Sequence, residues 1–236
     1  MKKKWVFALF FIFCTWPLCS SQSAIVPDSI YPPSDLIISY HNDWTKEHYP
    51  ERIKEFKNNP LNFNDIVFIG NSLTENGKDW AKRLNIVNVK NRGISGDVTV
   101  GVLERLDEIY YFKSPSVFIM IGGNDLYARK SIDFITNNIL KIADNIHLNS
   151  NQTKIYIQSF TPTHHLDWIE IIKSLNEILR NNDIAHNYIF IDIHALLVDS
   201  NGLIKKEYTV DGVHLSEEGY NIWTNEVKKY IVGAKQ

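Results

Sequence analysis

Residues 66–74 read IVFIGNSLT, from Ile66 to Thr74. Four β-branched or aromatic residues in a row, with no polar alternation, are the mark of a strand covered on both faces. The run stops at Gly70, and Ser72 follows two residues later, where a helix is expected to begin. Apolar runs of similar length recur at Ile86–Val89, Val117–Ile121, Lys154–Gln158 and Tyr188–Ile191. Helical patterns separate them. Ile132, Ile135, Ile139, Ile142 and Ile146 step by three or four, which makes one apolar stripe. Asp167 and Glu170 read as a capping pair ahead of a helix from Trp168 to Leu179, with Ile171, Ile172, Leu175 and Ile178 facing inward. Ser216 reads as the cap of a last helix whose Tyr220, Trp223, Val227 and Tyr230 share a face. Repeated β–α alternation predicts an α/β fold, a parallel sheet with helices on both sides. Ligands of such sheets bind beyond the carboxyl ends of the strands, and Ser72 falls there.

Upstream of Ile66, residues 27–34 (PDSIYPPS) are a proline-rich lead-in expected to run extended over the surface, and a helix is expected from Asp43 to Lys57. The first residues, Met1-Lys2-Lys3-Lys4 followed by an apolar run from Trp5 and then by CSSQSA, have the pattern of a secretory signal peptide. The apolar run is too short for a membrane span, which needs about 20 residues. Cleavage is expected near Ser21 or Ala24. A lipid anchor at Cys19 is the alternative, but Trp16-Pro17-Leu18 is a poor match to the small residues such a signal needs. Both cysteines, Cys14 and Cys19, fall in this segment, so the expected mature chain carries no disulfide and no thiol nucleophile. That suits a bacterial periplasm or exterior. A net charge of −2 with no basic stripe gives no sign of a nucleic-acid partner.

Two segments carry most of the chemistry. On its own, Ser72 reads first as a helix cap and only second as a nucleophile. The turn Asp211-Gly212-Val213-His214 supplies a base and, three residues before it, an acceptor to orient that base. In isolation it too has a plain reading, a turn with an exposed histidine. The elbow of the α/β-hydrolases, G-x-S-x-G, is not met, because Thr74 stands at the fifth position. Two further blocks end strands: NRGISGD (Asn91 to Asp97) and Gly122-Gly123-Asn124-Asp125. Glycine N–H groups and an asparagine amide are suitable donors for the negative charge that acyl transfer develops. A metallophosphoesterase is disfavoured: Asp192-x-His194 comes late, and Gly123-Asn124-Asp125 lacks the histidine ligand.

Taken together, GNSLT, GISGD, GGND and DGVH resemble the SGNH hydrolases (GDSL-type esterases). The likeness is closest to the branch of platelet-activating-factor acetylhydrolase subunits and bacterial carbohydrate, sialate-type, O-acetylesterases. The resemblance implies a flavodoxin-like, three-layer α/β/α sandwich around a five-stranded parallel sheet of order 2-1-3-4-5. The expected divisions of the chain are the signal peptide over residues 1–23, an extension and helix packed on the domain over 24–60, and the hydrolase domain over 61–236. The resemblance implies a triad of Ser72, His214 and Asp211, and an oxyanion hole from the Ser72 N–H, the Gly96 N–H and the Asn124 side chain, with no cofactor and no metal. Arg92, Ser95 and Asp97 are expected to brace loops. One departure stands out: the family often has Asp directly before the nucleophile, and this chain has Asn71. The expected activity is removal of acetyl groups from a small carbohydrate, with His164 and His165 as candidate substrate contacts and Trp168 as a stacking surface. A lysophospholipase or thioesterase of the same family and an inactive carbohydrate-binding relative are the alternatives. The sequence leaves the sugar and the oligomeric state open.

Overall fold

Alternating residues of the strands face opposite sides of a five-stranded, fully parallel sheet of order β2-β1-β3-β4-β5. The computed structural model describes residues 26–232. In chain order the elements are α1 (Asp43–Asn58), β1 (Ile66–Gly70), α2 (Ser72–Asn76), α3 (Trp80–Leu84), β2 (Val89–Gly93), α4 (Thr99–Leu103) and α5 (Asp107–Phe112). They continue with β3 (Ser116–Met120), α6 (Gly123–Tyr127), α7 (Ile132–Asn149), β4 (Lys154–Gln158), α8 (Ile169–Asn181), β5 (Ile189–Ile191), α9 (His194–Leu197) and α10 (Glu217–Val232). The three-layer α/β/α architecture and its strand order are those expected. The signal-peptide segment and both cysteines lie outside the described residues. Among the described residues, no helix is long and apolar enough to cross a membrane.

Val67, Ile69, Val117, Ile119, Ile155 and Ile157 meet α1, α4, α5, α7 and α8 on one face of the sheet. On the other, Phe68, Phe118 and Tyr156 form a stack across β1, β3 and β4, with centroids 4.8 and 4.4 Å apart. Trp80 of α3 lies flat on Phe68 at 4.2 Å, and Trp223 of α10 meets Trp80 edge-on at 4.8 Å. Each such aromatic pair contributes about 0.5–1.5 kcal/mol beyond its burial. This second cluster anchors α10 to the sheet, and the segment just before α10 carries His214.

Local corrections to the sequence reading have physical causes. The second strand is Val89–Gly93, three residues later than its apolar run. Asn85 takes a left-handed conformation at the end of α3, Ile86 folds back to bond the Ala81 carbonyl, and Val87 is exposed. The strand itself is polar because Arg92 and Asn91 spend their side chains on hydrogen bonds, Arg92 on a buried one to Glu108 and Asn91 on the carbonyls of Thr74, Glu75 and Lys78. The helix expected from Trp168 begins at Ile169 after a 3₁₀ turn, with no side-chain cap, so Asp167 and Glu170 do not form a capping pair. The lead-in is not merely a surface strand: Ile30 and Tyr31 are buried, and the Tyr31 hydroxyl donates to Glu108.

Candidate active site

Asn71, directly after β1, caps α2 by accepting the Leu73 N–H on its Oδ1 at 3.1 Å. The cap is therefore Asn71 and neither Ser72 nor Thr74, and Ser72 becomes the first residue of α2 with its hydroxyl free of capping duty. Asn71 is nearly buried and lines the same cavity as Ser72.

At the other end of the chain, one aspartate organises its own turn. Asp211 Oδ1 accepts the N–H groups of Val213 (2.9 Å) and His214 (2.7 Å), while the Thr209 hydroxyl donates to the His214 carbonyl. Gly212 takes φ +88°, and a Cβ there would lie 2.9 Å from the His164 side chain, so the turn requires glycine. The second carboxylate oxygen, Oδ2, lies 2.7 Å from His214 Nδ1, and His214 Nε2 lies 3.1 Å from Ser72 Oγ. Residues 142 positions apart in sequence are thereby in one hydrogen-bonded line. Burial alone would raise the Asp211 carboxyl, but bonds from the His214 ring and from the His214 and Val213 N–H groups outweigh it and hold it at about 2. It is ionised throughout the neutral range.

Asn124, in the first turn of α6, lines this cavity as well, and its Nδ2 donates to the Asp97 carbonyl at 2.8 Å. One amide hydrogen is thus used and the other remains for a ligand. Gly96 sits one residue before Asp97 at φ +80°, pressed against Thr45 so closely that a Cβ would come within 1.9 Å of the threonine Oγ1. Gly96 does not itself line the cavity. As expected, the loop is braced by its neighbours: Arg105 and His41 bond the Asp97 carboxylate, and the Ser95 N–H donates to Glu75.

The cavity measures about 410 Å³. Met120, Leu126, Phe160 and Ile172 form its apolar walls, and Tyr127, His165 and Trp168 its rim. The rim residues hold one another. Tyr127 Oη and His165 Nε2 are 3.0 Å apart, Tyr127 meets Trp168 edge-on at 4.6 Å, and His165 lies 4.4 Å from Trp168. Burial, with the nearby Asp211 charge, raises the Tyr127 hydroxyl above its ordinary value and keeps it a neutral donor. Of the two candidate contact histidines, His165 lines the cavity. His164 does not: its ring bonds the Ile204 carbonyl and packs on Gly212, buttressing the histidine turn. Tyr127 was missed in the sequence, although its position three residues after Asn124 on one helix could have revealed it. Among the described residues, no group of three His, Cys, Asp or Glu side chains is placed to hold a metal. Asp192 is paired instead with Arg180.

The family model for GDSL-like lipases and acylhydrolases matches residues 68–222. An N-acylneuraminate cytidylyltransferase of Escherichia coli is 32% identical over 205 residues, which cover 84% of this chain and 45% of that protein. The chain thus spans about half the length of this curated relative. Among solved structures, a Streptococcus pneumoniae protein described as a candidate platelet activating factor superposes with a TM-score of 0.71 at 26% identity, covering 80% of this chain and 95% of that one. A GDSL-like lipase of Bacteroides thetaiotaomicron superposes with a TM-score of 0.66 at 25% identity, covering 80% and 98%. The order of motifs, the sheet that carries them and a family match over more than half the chain agree: this protein belongs to the GDSL-like lipase/acylhydrolase family, the SGNH hydrolases.

Proposed function

We propose that this protein is an exported serine esterase that removes acetyl groups from a carbohydrate. The observation that carries the reading is the line Asp211–His214–Ser72, with contacts of 2.7 and 3.1 Å, opening into the cavity that Asn124 also lines. Ser72 Oγ attacks the ester carbonyl as its proton passes to His214 Nε2, while Asp211 holds the ring and offsets its charge. The tetrahedral oxyanion is held by the Ser72 N–H and the free amide hydrogen of Asn124, with the third donor, the Gly96 N–H, supplied from behind the cavity lining by the loop that Asn124 bonds at the Asp97 carbonyl. His214 gives the proton to the departing sugar oxygen. Water then attacks the acyl-enzyme with His214 as base, releasing acetate and restoring the Ser72 hydroxyl. No step uses a metal or cofactor.

For the substrate, support comes from the aromatic rim, where Trp168 and Tyr127 offer faces for the apolar side of a sugar ring and His165 a polar contact. The similarity to a protein named for N-acylneuraminate supports an acylated sialic acid as a first substrate to try. The pattern of Met1 to Ala24 supports export. A second reading, an acylhydrolase for longer chains, is favoured by the apolar walls at Met120, Leu126, Phe160 and Ile172. Initial rates on p-nitrophenyl acetate and octanoate separate the two, together with acetate release from acetylated sialic acid, xylan and pectin fragments. The proposal expects acetyl to be preferred and at least one sugar to release acetate; a preference for C8 or longer overturns it.

A further inference from the structure

Residues 40–49 lie before the matched family region, yet they touch both loops that carry the oxyanion donors proposed above. The contacts fall in order along the segment. The Tyr40 hydroxyl donates to Asp125 Oδ1 at 3.1 Å, next to Asn124. His41 Nε2 donates to Asp97 Oδ1 at 3.1 Å, on the residue whose carbonyl receives the Asn124 amide. Thr45 packs on Gly96. His48 bonds Glu75, the carboxylate that accepts the Ser95 N–H. The Tyr49 hydroxyl donates to the Gly101 carbonyl at 2.9 Å, and a Cβ on Gly101 would meet Asp97 Oδ1.

The His41 and Tyr49 contacts are buried, and those of Tyr40 and His48 are half-buried. Asp97 and Asp125 are fully buried, and His41 is 5% exposed. Asp97 is shared: Arg105 holds Oδ2 at 2.9 Å from within the domain, and His41 holds Oδ1 from outside it. Asp125 is shared in the same way, between Thr99 and Tyr40. The segment is itself fixed where it turns into α1, because Asn42 Oδ1 accepts both the N–H and the hydroxyl of Thr45. A donor displaced by a fraction of an ångström from the developing oxyanion loses much of its effect, so the group that sets its position affects rate more than binding.

We propose that Tyr40–Tyr49 is a positioning element for the oxyanion hole, with His41 clamping the Gly96–Asp97 loop and Tyr40 clamping the Asn124–Asp125 turn. The inference rests on the esterase reading for its catalytic consequence, and on geometry alone for its mechanical one. His41 and Tyr40 touch no reacting atom in this account; they act through Asp97 and Asp125.

The experiment measures amide hydrogen exchange over residues 94–98 and 122–126, and kcat and KM on p-nitrophenyl acetate. It uses the wild-type chain, His41→Ala, His41→Gln and Tyr40→Phe. Expected for His41→Ala are exchange at least tenfold faster in 94–98 with β3 unchanged, kcat lower by about 10- to 100-fold, and KM within about threefold. His41→Gln retains an amide donor for Asp97 and is expected to recover kcat to within about fivefold of wild type. Tyr40→Phe removes a single hydroxyl and tests the same idea if His41→Ala does not fold; exchange in 122–126 should quicken and kcat fall several-fold. Unchanged exchange in the folded variants overturns the clamp even if the wild-type protein shows no Ser72-dependent turnover, an outcome that would sink the esterase reading separately. Faster exchange with an unchanged kcat overturns the positioning role and leaves ordinary packing.

Discussion

Replacing Asp211 with Asn changes charge and proton placement while leaving the turn intact. Asp211 Oδ1 already accepts two backbone N–H groups, at 2.9 and 2.7 Å, so an asparagine keeps its oxygen there and turns its NH₂ toward His214 Nδ1. A donor facing Nδ1 forces the neutral ring to carry its proton on Nε2, the nitrogen that must accept from Ser72. Flipping the amide to restore the working tautomer costs those two backbone bonds, about 1 kcal/mol each. The lost charge adds to this. Unit charges about 4 Å apart attract by about 1 kcal/mol in water and about 4 kcal/mol at an effective dielectric of 20. The Asp211 side chain is 50% exposed, which argues for the lower half of that range. Together about 3–4 kcal/mol of transition-state stabilisation is lost, or roughly 10²- to 10³-fold in rate. The assay is steady-state hydrolysis of p-nitrophenyl acetate at pH 8: kcat should fall by that factor, KM should stay within about threefold, and the thermal midpoint should shift by no more than a few degrees. A folded Asp211→Asn enzyme within about fivefold of wild type refutes the orienting role.

Gly96→Ala places a Cβ 1.9 Å from Thr45 Oγ1 in a φ +80° backbone, so the loop must shift; kcat should fall about 100-fold, and a loss under threefold would remove Gly96 from the oxyanion hole. Glu108→Ala strands Arg92, which is bonded to it at 2.7 and 2.8 Å in a buried site, and should cost about 3–5 kcal/mol in urea unfolding; a cost below about 1 kcal/mol contradicts the structural role. Asp211 is held at about 2, and Glu75 below its ordinary value because bonds from Ser95 and His48 outweigh burial. Both therefore stabilise the fold above their ordinary values of 3.8 and 4.5 and lose that contribution as pH falls below them, the Asp211 share going as pH nears about 2. In His214→Ala, carboxyl NMR should show Asp211 titrating closer to 3.8, and no upward movement would sever the inferred pairing.

The fold was legible because buried parallel strands leave unbroken apolar runs, and because Ile135, Ile139, Ile142 and Ile146 repeat at the helical period. The hydrogen-bonded line of Ser72, His214 and Asp211 was legible for a local reason: Asp211 and His214 share one turn, and Ser72 follows a strand end. Where polar residues make a strand, the signal failed. Val89–Gly93 is held by side-chain bonds of Asn91 and Arg92 that no hydropathy pattern encodes, while exposed Val87 imitated a strand. Long-range bracing was equally hidden. His41 meets Asp97 from 56 residues away and Tyr40 meets Asp125 from 85, and nothing in the local sequence marks either. His164 and His165 look equivalent in sequence. The backbone bond from His164 N–H to the Gly212 carbonyl turns one to structural support and leaves the other on the cavity rim.

The central claim is that Ser72 is the nucleophile of an acyl transfer. Ser72→Ala, assayed with an acetyl ester beside the wild-type chain, tests it most directly. The account predicts a loss of order a thousandfold or more, with a comparable loss in His214→Ala because the two residues act as a unit. Turnover by Ser72→Ala within a few-fold of wild type would contradict it.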